Sequence, residues 1–276
     1  MTATLLALAC LIVSVFSCAD HTGRQRGALA KRQEVSRTNP SHITKDWAYD
    51  ASYNWGAISP DYITCHIGTN QSPLALSLTA GLAHYHHPTF SGYENVSGNF
   101  SNWGYGPAYN LSHPADDWTT LPVLRWDNET AYLKGWHIHT PADHSVGGDR
   151  SKAELHLVHV NSEGHETAVL AIRLDPGTSE QAFFSQLPTY VPYHDPKPVQ
   201  NVKLNINLIL EAVYYVTDFW TYQGSLTSPP CREGIRWFVA RNIVFTSSKQ
   251  MQDILRVSTF SAREEQEVWL HGINSA

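Results

Sequence analysis

The chain has no long run of lysine or arginine and no apolar stretch long enough to cross a bilayer. It carries 19 Lys and Arg against 25 Asp and Glu, a formal net charge of -6 over 276 residues. Nucleic-acid binding needs clustered basic side chains, and a membrane-spanning helix needs roughly 20 apolar residues. The N-terminal apolar run covers only residues 5–16. We therefore expect no nucleic-acid partner and no membrane span.

This apolar run is typical of a secretory signal, because it is short and ends in small residues. We interpret residues 1–19 as a signal peptide and residues 20–32 as a propeptide that ends at the dibasic pair Lys31-Arg32. A plain solvated charge pair is the alternative for that site. The prediction is a secreted, extracellular protein whose single folded domain spans residues 33–276.

Cysteine is scarce, with four residues in the chain. Cys10 and Cys18 fall within the predicted signal peptide, which leaves Cys65 and Cys231. One remaining pair in a secreted protein favours a disulfide. Two free buried cysteines are the alternative.

Five N-x-S/T motifs occur, three of them within residues 95–112. In a secreted eukaryotic protein such motifs mark exposed surface that can carry asparagine-linked glycans. We expect glycans at Asn70, Asn95, Asn99 and Asn128.

From about residue 46 the composition is uniformly apolar and aromatic, without repeats, linkers or low-complexity segments. Short alternating runs bounded by Gly, Pro, Asn or Asp are typical of strands. They cover residues 131–139, 153–160, 167–174 and 234–245. Helical patterns are confined to residues 180–187, 204–210 and 248–254. These patterns predict a single-domain, β-dominated α+β fold.

Two histidines separated by one residue lie in the first predicted strand. On an extended strand, His137 and His139 leave the same face. The second predicted strand carries His156 and His159 on opposite faces, and Glu154 shares the face of His156. We favour His156 as a third metal ligand, although a lone His-x-His pair is a weak indication of metal binding.

Three neutral imidazoles suit a catalytic zinc site, because they leave the fourth position of a tetrahedral metal open for water. A structural zinc site is closed by four protein ligands that usually include cysteine, and no cysteine is available for that role. The expected cofactor is therefore Zn2+.

Two segments resemble the signature blocks of alpha-class carbonic anhydrases in their secreted, fungal-type form. They are residues 136–160, which hold the three histidines, and residues 222–231, YQGSLTSPPC. Residues 70–74, NQSPL, are similar to the Q-S-P segment of that family. The resemblance implies a large, twisted, mostly antiparallel central β-sheet with short peripheral helices, and a zinc at the base of a cone-shaped cleft.

The resemblance also implies the reaction, which is reversible hydration of carbon dioxide to bicarbonate and a proton. The nucleophile would be a hydroxide on a zinc held by His137, His139 and His156. Thr227 resembles the threonine that hydrogen-bonds this hydroxide, and its backbone amide would meet the developing bicarbonate oxygen. Glu154 resembles the carboxylate that fixes the tautomer of the third histidine.

An apolar wall for carbon dioxide is implied beside the metal. Its members would be Val158, Val169, Leu226, Ile235 and Trp237, with Thr227 and Ser228 completing the substrate site. Cys65 and Cys231 match the disulfide pair of extracellular members. Asn110 matches a polar residue of the cavity rim, so we expect it to carry no glycan.

Three positions depart from the family pattern. Asp143 stands where the family has a glutamate that accepts the hydrogen bond of the catalytic threonine, so we expect reduced activity. Gly135 replaces a glutamine that orients the first histidine, and losing such a partner typically costs roughly 10- to 100-fold in affinity or activity. Pro107 replaces the histidine that carries protons out of the site. Candidate replacements are His84, His86, His87 and His113, because imidazole titrates near neutral pH.

Two other functions stay open. A catalytically silent binding module arises in this family when a ligand histidine is lost, but all three are present. A weak zinc-esterase side activity would use the same site. The expected partner is a small molecule, carbon dioxide or bicarbonate, and a homodimer is one alternative for the oligomeric state.

Overall fold

The computed structural model describes residues 45–115, 117–195 and 197–276. The predicted signal peptide and propeptide, with Cys10 and Cys18, lie outside these ranges. No helix within them is long and apolar enough to cross a membrane.

The described ranges hold thirteen strands and five short α-helices, joined by loops and 3₁₀ turns. The strands are β1 Ala75–Leu76, β2 Thr89–Ser91, β3 Val96–Asn102, β4 Pro107–Leu111, β5 Val123–Trp126, β6 Glu129–His139, β7 Ser145–Val146, β8 Ala153–Val160, β9 Glu166–Gly177, β10 Val199–Leu204, β11 Phe219–Ser225, β12 Glu233–Ala240 and β13 Val244–Ser247. The helices are α1 Trp55–Ile58, α2 Thr64–Ile67, α3 Ala182–Ser185, α4 Asn207–Ala212 and α5 Ser248–Arg256.

Eleven of these strands form one sheet. Its order is β10-β3-β4-β6-β8-β9-β12-β11, with β13 paired to β9 and the β2-β5 pair joined to β6. Neighbouring strands are antiparallel, except that β12 and β13 run parallel to β9. Strands β1 and β7 form a separate two-stranded parallel sheet. The prediction of a single-domain, β-dominated α+β fold with a large, mostly antiparallel sheet is confirmed.

The central strands are buried on both faces, because each face of the sheet carries its own hydrophobic cluster. Along β8, Leu155 and Leu157 enter the larger cluster, whereas Val158 packs against the smaller one. Trp237 and Val169 belong to the smaller cluster. Burying side chains of this size stabilises the fold by about 1.5–3 kcal/mol each. This gain offsets the free-energy cost of burying polar groups at the centre of the sheet.

The prediction of one strand over residues 234–245 is wrong, because two strands occupy that range. Strand β12 pairs with one end of β9 and β13 with its other end. The break falls where the buried Arg173 of β9 donates a hydrogen bond to the Arg241 carbonyl over 2.9 Å. The Arg241 carbonyl therefore accepts a hydrogen bond from a side chain instead of from a neighbouring strand, and strand pairing is interrupted at this residue.

The helix predictions hold in position but differ in extent. Helix α5 begins in a capping box formed by Ser247 and Gln250 and covers the predicted residues 248–254. Helix α3 is shorter than predicted. Leu204 ends strand β10, so the predicted helix at residues 204–210 begins three residues later as α4.

The expected disulfide joins Cys65 of α2 to Cys231, which follows β11 in the chain. The backbone carbonyl of each of the two cysteines also accepts a hydrogen bond from a side chain. Gln71 Nε2 donates to the Cys231 carbonyl over 3.1 Å, and Arg263 Nη2 donates to the Cys65 carbonyl over 3.1 Å. The cross-link therefore ties the N-terminal helices to the far edge of the sheet.

Strand β8 also buries His159, beside Tyr93 of the larger cluster. The side chain is 0% exposed, and its Nε2 lies 2.8 Å from the Tyr93 hydroxyl. Burial lowers the pKa of His159 from 6.5 to about 3. The folded protein therefore keeps this imidazole neutral at pH values where the unfolded chain protonates it.

Replacing His159 with glutamine should flatten the loss of stability on acidification. Between pH 6.5 and about 3, the unfolded state binds more protons at His159 than the folded state does. The free energy of unfolding therefore falls as the pH falls, by about 1.4 kcal/mol per pH unit well inside that window. Urea unfolding of both proteins between about pH 4.5 and 6 measures the slope.

The matched control is His165→Gln, because His165 is exposed in a loop. It should leave the wild-type slope unchanged. Parallel pH profiles for wild type and His159→Gln would contradict the assignment of a buried neutral imidazole.

Candidate metal centre

The register of β6 and β8 brings the candidate ligands together. In this antiparallel pair His137 lies opposite His156, and His139 lies opposite Glu154. Alternate residues of a strand leave the same face, so all four side chains project from one face of the sheet. Trp136 and Ile138 project from the other face into the larger cluster.

The three histidines converge on one point. One ring nitrogen from each of His137, His139 and His156 lies within 4.8 Å of the other two. The Nε2 atoms of His137 and His139 are 2.9 Å apart. His139 and His156 are each 1% exposed, whereas His137 is half-buried.

Two of the rings are held by partners on their other nitrogen. His139 Nδ1 lies 2.6 Å from the Ser261 carbonyl, and His156 Nε2 lies 2.6 Å from Glu154 Oε1. These contacts leave His139 Nε2 and His156 Nδ1 free for a ligand. Within the described ranges, His137 has no comparable partner on its Nδ1.

The protonation of the rings suits a cation. Burial lowers the pKa of His139 to about 4, and burial together with the neighbouring histidines lowers the pKa of His137 well below its usual value. A neutral imidazole has a free lone pair, which is the form that binds metals. Three imidazole nitrogens, without cysteine, fit Zn2+ with a position left open.

Glu154 is the centre of a buried polar network. Its Oε1 accepts from His156 Nε2 and lies 2.7 Å from His144 Nδ1, while Oε2 accepts from the His144 amide over 3.0 Å. Burial raises the pKa of Glu154, but the charges and hydrogen bonds of His144 and His156 outweigh it and hold this pKa well below its usual value. His144 Nε2 in turn lies 2.8 Å from the Tyr222 hydroxyl.

Asp143 does not make the expected hydrogen bond with Thr227 in the described part of the chain. Its Oδ1 accepts from the Arg263 amide over 2.8 Å, and Oδ2 lies 3.5 Å from His139 Nδ1 without a hydrogen bond. An aspartate is one methylene shorter than a glutamate, and this carboxylate is held by the C-terminal segment. Its effect on Thr227 stays a prediction.

Gly135 lies where strands β4 and β6 approach each other closely. A Cβ at this position would stand 2.3 Å from the Tyr109 carbonyl oxygen. The pairing of β6 with β8 shifts register between Leu133 and Gly135. No side chain fits at this position in this structure unless the backbone moves.

A cavity of about 160 Å³ lies over the three imidazoles. It is lined by Lys45, Tyr49, Trp103, His137, His139, His156, Val158, Val169, Leu226, Thr227, Ser228 and Trp237. Six of the seven residues expected at the substrate site line it, whereas Ile235 lies in the smaller cluster and does not reach it. One wall is therefore apolar, as expected for a site that receives carbon dioxide.

Three cavity residues were missed by the sequence reasoning. Tyr49 and Trp103 lie in aromatic-rich segments outside the matched blocks, and Lys45 precedes Trp47 near the start of the described chain. Lys45 is exposed as a whole residue, but its ammonium packs against three aromatic rings, and this local burial lowers the pKa of Lys45 to about 8. The density of aromatic residues at 47–55 and 103–105 was the available indication.

The four histidines considered for proton transfer do not line the cavity. His86 pairs with Asp127, and His87 packs against Phe219. His113 packs against Trp118, and His84 is exposed.

Asn110 is exposed on β4 and does not line the cavity. Of the four expected glycan sites, Asn95 and Asn128 are exposed, while Asn70 and Asn99 are half-buried. Their modification stays a prediction.

The C-terminal segment, whose packing the sequence did not predict, packs against His139 and Asp143 through Ser261 and Arg263. Arg263 is 1% exposed and donates from Nη1 to the Ser72 carbonyl over 2.7 Å. His271 Nε2 lies 2.8 Å from the Gln71 carbonyl. The segment that supplies the Ser261 carbonyl is therefore anchored on the Q-S-P run.

Comparisons with known proteins agree with this geometry. The family model described as eukaryotic-type carbonic anhydrase matches residues 50–272. A carbonic anhydrase of Pectobacterium atrosepticum is 29% identical over 217 residues, which cover 76% of this chain and 82% of the relative. Alpha carbonic anhydrase 3 of Arabidopsis thaliana is 31% identical over 208 residues, covering 73% of this chain and 70% of the relative.

Among solved structures, the alpha-carbonic anhydrase of Thermovibrio ammonificans with the inhibitor sulfanilamide is similar in fold. The TM-score is 0.68 at 24% identity, with 82% of this chain and 96% of that chain covered.

Replacing Glu154 with glutamine should weaken metal binding. The amide keeps the size of the side chain but removes the charge that orients His156 and His144. Losing such a partner typically lowers metal affinity by roughly 10- to 100-fold. Competition with a chromophoric chelator for Zn2+ measures this change.

Glu163→Gln is the matched control, because Glu163 is exposed in the loop after β8. It should bind Zn2+ with wild-type affinity. Equal zinc affinity in wild type and Glu154→Gln would show that the carboxylate does not support the histidine cluster.

Proposed function

The chain belongs to the eukaryotic-type carbonic anhydrase family, and we propose that it is a secreted zinc enzyme whose metal is held by His137, His139 and His156. It catalyses the reversible hydration of carbon dioxide to bicarbonate and a proton. The observation that supports the zinc site is the convergence of three imidazole nitrogens within 4.8 Å, under a cavity with one apolar wall.

Bound zinc supplies a water ligand whose pKa is lowered to about 7, a value for which carbonic anhydrase is itself the standard example. The contribution of the protein to catalysis is to hold and orient the metal-binding histidines. In this proposal the Ser261 carbonyl and Glu154 fix the tautomers of His139 and His156, so that each presents a lone pair to the metal.

Carbon dioxide has no net dipole, and its natural position is against the apolar wall. Val169 and Trp237 are almost fully buried, and Val158 and Leu226 pack beside them. An apolar surface beside the metal concentrates the substrate without competing for a ligand position.

Thr227 faces the same cavity and is proposed to act at two atoms. Its hydroxyl orients the attacking oxygen, and its backbone amide donates to the oxygen on which charge develops. Asp143 accepts a hydrogen bond from the Arg263 amide rather than from the threonine hydroxyl. Its proposed role is therefore indirect, namely to hold the C-terminal segment beside His139.

We also propose that the protein is secreted, on the basis of four features. The signal peptide at residues 1–19, the propeptide to residue 32, the glycans and the Cys65–Cys231 disulfide together suit an extracellular enzyme. A homodimer is proposed as one state of association, which size-exclusion chromatography distinguishes from a monomer. A weak esterase activity would use the same site.

The purified protein should contain about one zinc per chain and hydrate carbon dioxide. Elemental analysis and stopped-flow hydration measure the two properties. His139→Ala should lose both, because it removes a buried ligand. His159→Gln is the matched control, since His159 lies on the opposite face of β8 and should keep metal and activity.

The outcomes separate the alternatives. Zinc without hydration would identify Asp143 or Gly135 as disabling changes. A protein without zinc would instead be a silent binding module. A primary sulfonamide, the class of inhibitor in the Thermovibrio ammonificans structure, is expected to compete for the metal.

Imidazole buffer should raise the rate at saturating carbon dioxide. Hydration releases a proton, and within the described ranges no histidine other than the three proposed ligands lines the cavity. At pH 7 Lys45, whose pKa is lowered to about 8 by burial, is mostly protonated and accepts protons poorly. Rates that are independent of imidazole concentration would contradict slow proton release.

A further inference from the structure

Four side chains that contact one another form what we call the cationic-aromatic cap: Lys45, Trp47, Trp103 and Tyr105. Lys45 and Trp103 line the cavity, and Trp47 and Tyr105 pack against them. Lys45 is the most exposed of the cavity-lining residues and marks the mouth. Its Nζ lies 4.7 Å from the ring centroid of Trp47, 4.7 Å from that of Trp103 and 4.6 Å from that of Tyr105. An ammonium at these distances is attracted to the ring faces, so the lysine is held against the three rings.

Trp103 is the inner member of the cap. Its ring centroid lies 5.0 Å from that of His137 and 5.1 Å from that of His139. Its Nε1 donates to the Ile138 carbonyl over 3.2 Å, and its backbone amide donates to the Gly106 carbonyl over 3.1 Å. The indole is therefore fixed directly against two of the proposed ligands.

The loop that carries Trp103 is anchored at its base. Asn102 Nδ2 donates to the carbonyls of Val191 and Val257, over 3.1 and 2.8 Å. Tyr105 stacks on Trp47 with centroids 5.8 Å apart, and its hydroxyl donates to the Trp47 carbonyl over 3.4 Å. Two separate segments of chain thus hold each other beside Lys45 and Trp103, which line the cavity.

The space left beneath the cap is small. The cavity measures about 160 Å³, whereas pockets for drug-sized ligands usually measure roughly 300–1,000 Å³. Carbon dioxide, bicarbonate and a compact head group fit this space. An aromatic ring attached to such a head group needs more of this space, in a cavity that Trp103 and Lys45 line.

We propose that the cationic-aromatic cap determines specificity by size, admitting carbon dioxide, bicarbonate and small ligands while weakening the binding of ligands with an aryl substituent. This inference rests on the proposed zinc site. Lys45 and Trp103 are then specificity-determining residues outside the reacting group.

Two sulfonamides with the same head group test the cap. Methanesulfonamide carries a methyl group and sulfanilamide an aromatic ring, and calorimetry on the zinc-loaded protein measures the affinity of each. In an open cleft the ring buries apolar surface and strengthens binding. The cap reverses this order, so the wild type should bind methanesulfonamide at least as tightly as sulfanilamide.

Trp103→Ala should open the cavity. Sulfanilamide affinity should rise by at least about tenfold, or about 1.4 kcal/mol, while methanesulfonamide affinity changes by less than about threefold. Lys45→Ala is the second variant, because it removes the ammonium from an exposed position without altering the anchored loop, and it should shift the ratio in the same direction. Trp269→Ala is the control, since Trp269 is 67% exposed and outside the cavity.

The inference is overturned if wild type prefers sulfanilamide and neither variant changes the ratio of the two affinities. A wild type that binds neither sulfonamide and contains no zinc would overturn the proposed metal site itself. The methanesulfonamide measurement separates these two failures, because only the second abolishes it.

Discussion

The pairing register between β6 and β8 is the constraint on which the site depends. It places His137 opposite His156 and His139 opposite Glu154. A shift of one residue would turn every one of these side chains to the opposite face of the sheet. The register is fixed because the residues between them, such as Leu155 and Leu157, must enter the larger hydrophobic cluster. Burial of these leucines on one face of the sheet therefore fixes the positions of the histidines and Glu154 on the other face.

Burying so many polar groups requires that nearly all of them have partners, because an unpaired buried group costs about 1–3 kcal/mol. From Glu154 the hydrogen bonds continue through His144 and Tyr222 to the Ser72 hydroxyl, which also accepts from the Ser225 amide over 3.0 Å. The network thus reaches the Q-S-P run, to which the C-terminal Arg263 is bound. Segments far apart in the chain share one buried framework.

Much of this could be predicted from the sequence, because the strand alternation of residues 131–139 and 153–160 is local. The same alternation places His137 and His139 on one face and favours His156 over His159. What could not be predicted depends on distant partners. The Ser261 carbonyl lies against His139 Nδ1 although the two residues are 122 positions apart in the chain. A backbone carbonyl cannot be recognised from the pattern of side chains in a sequence. The break between β12 and β13 likewise depends on a guanidinium from another strand.

The absence of a glutamine at Gly135 is tied to the aromatic side of the cavity. Strand β4 approaches β6 so closely that the Tyr109 carbonyl excludes any side chain from Gly135. His137 consequently lacks, within the described ranges, the hydrogen-bonded partner that its two neighbours have. Its ring is instead packed against Trp103, with centroids 5.0 Å apart, and the indole is fixed by the carbonyl of Ile138. Close packing against a fixed ring restricts rotation of an imidazole as a hydrogen bond does, but it also fills space beside the proposed metal site. The indole that packs against His137 in place of a hydrogen-bonded partner is therefore also a residue that lines the cavity.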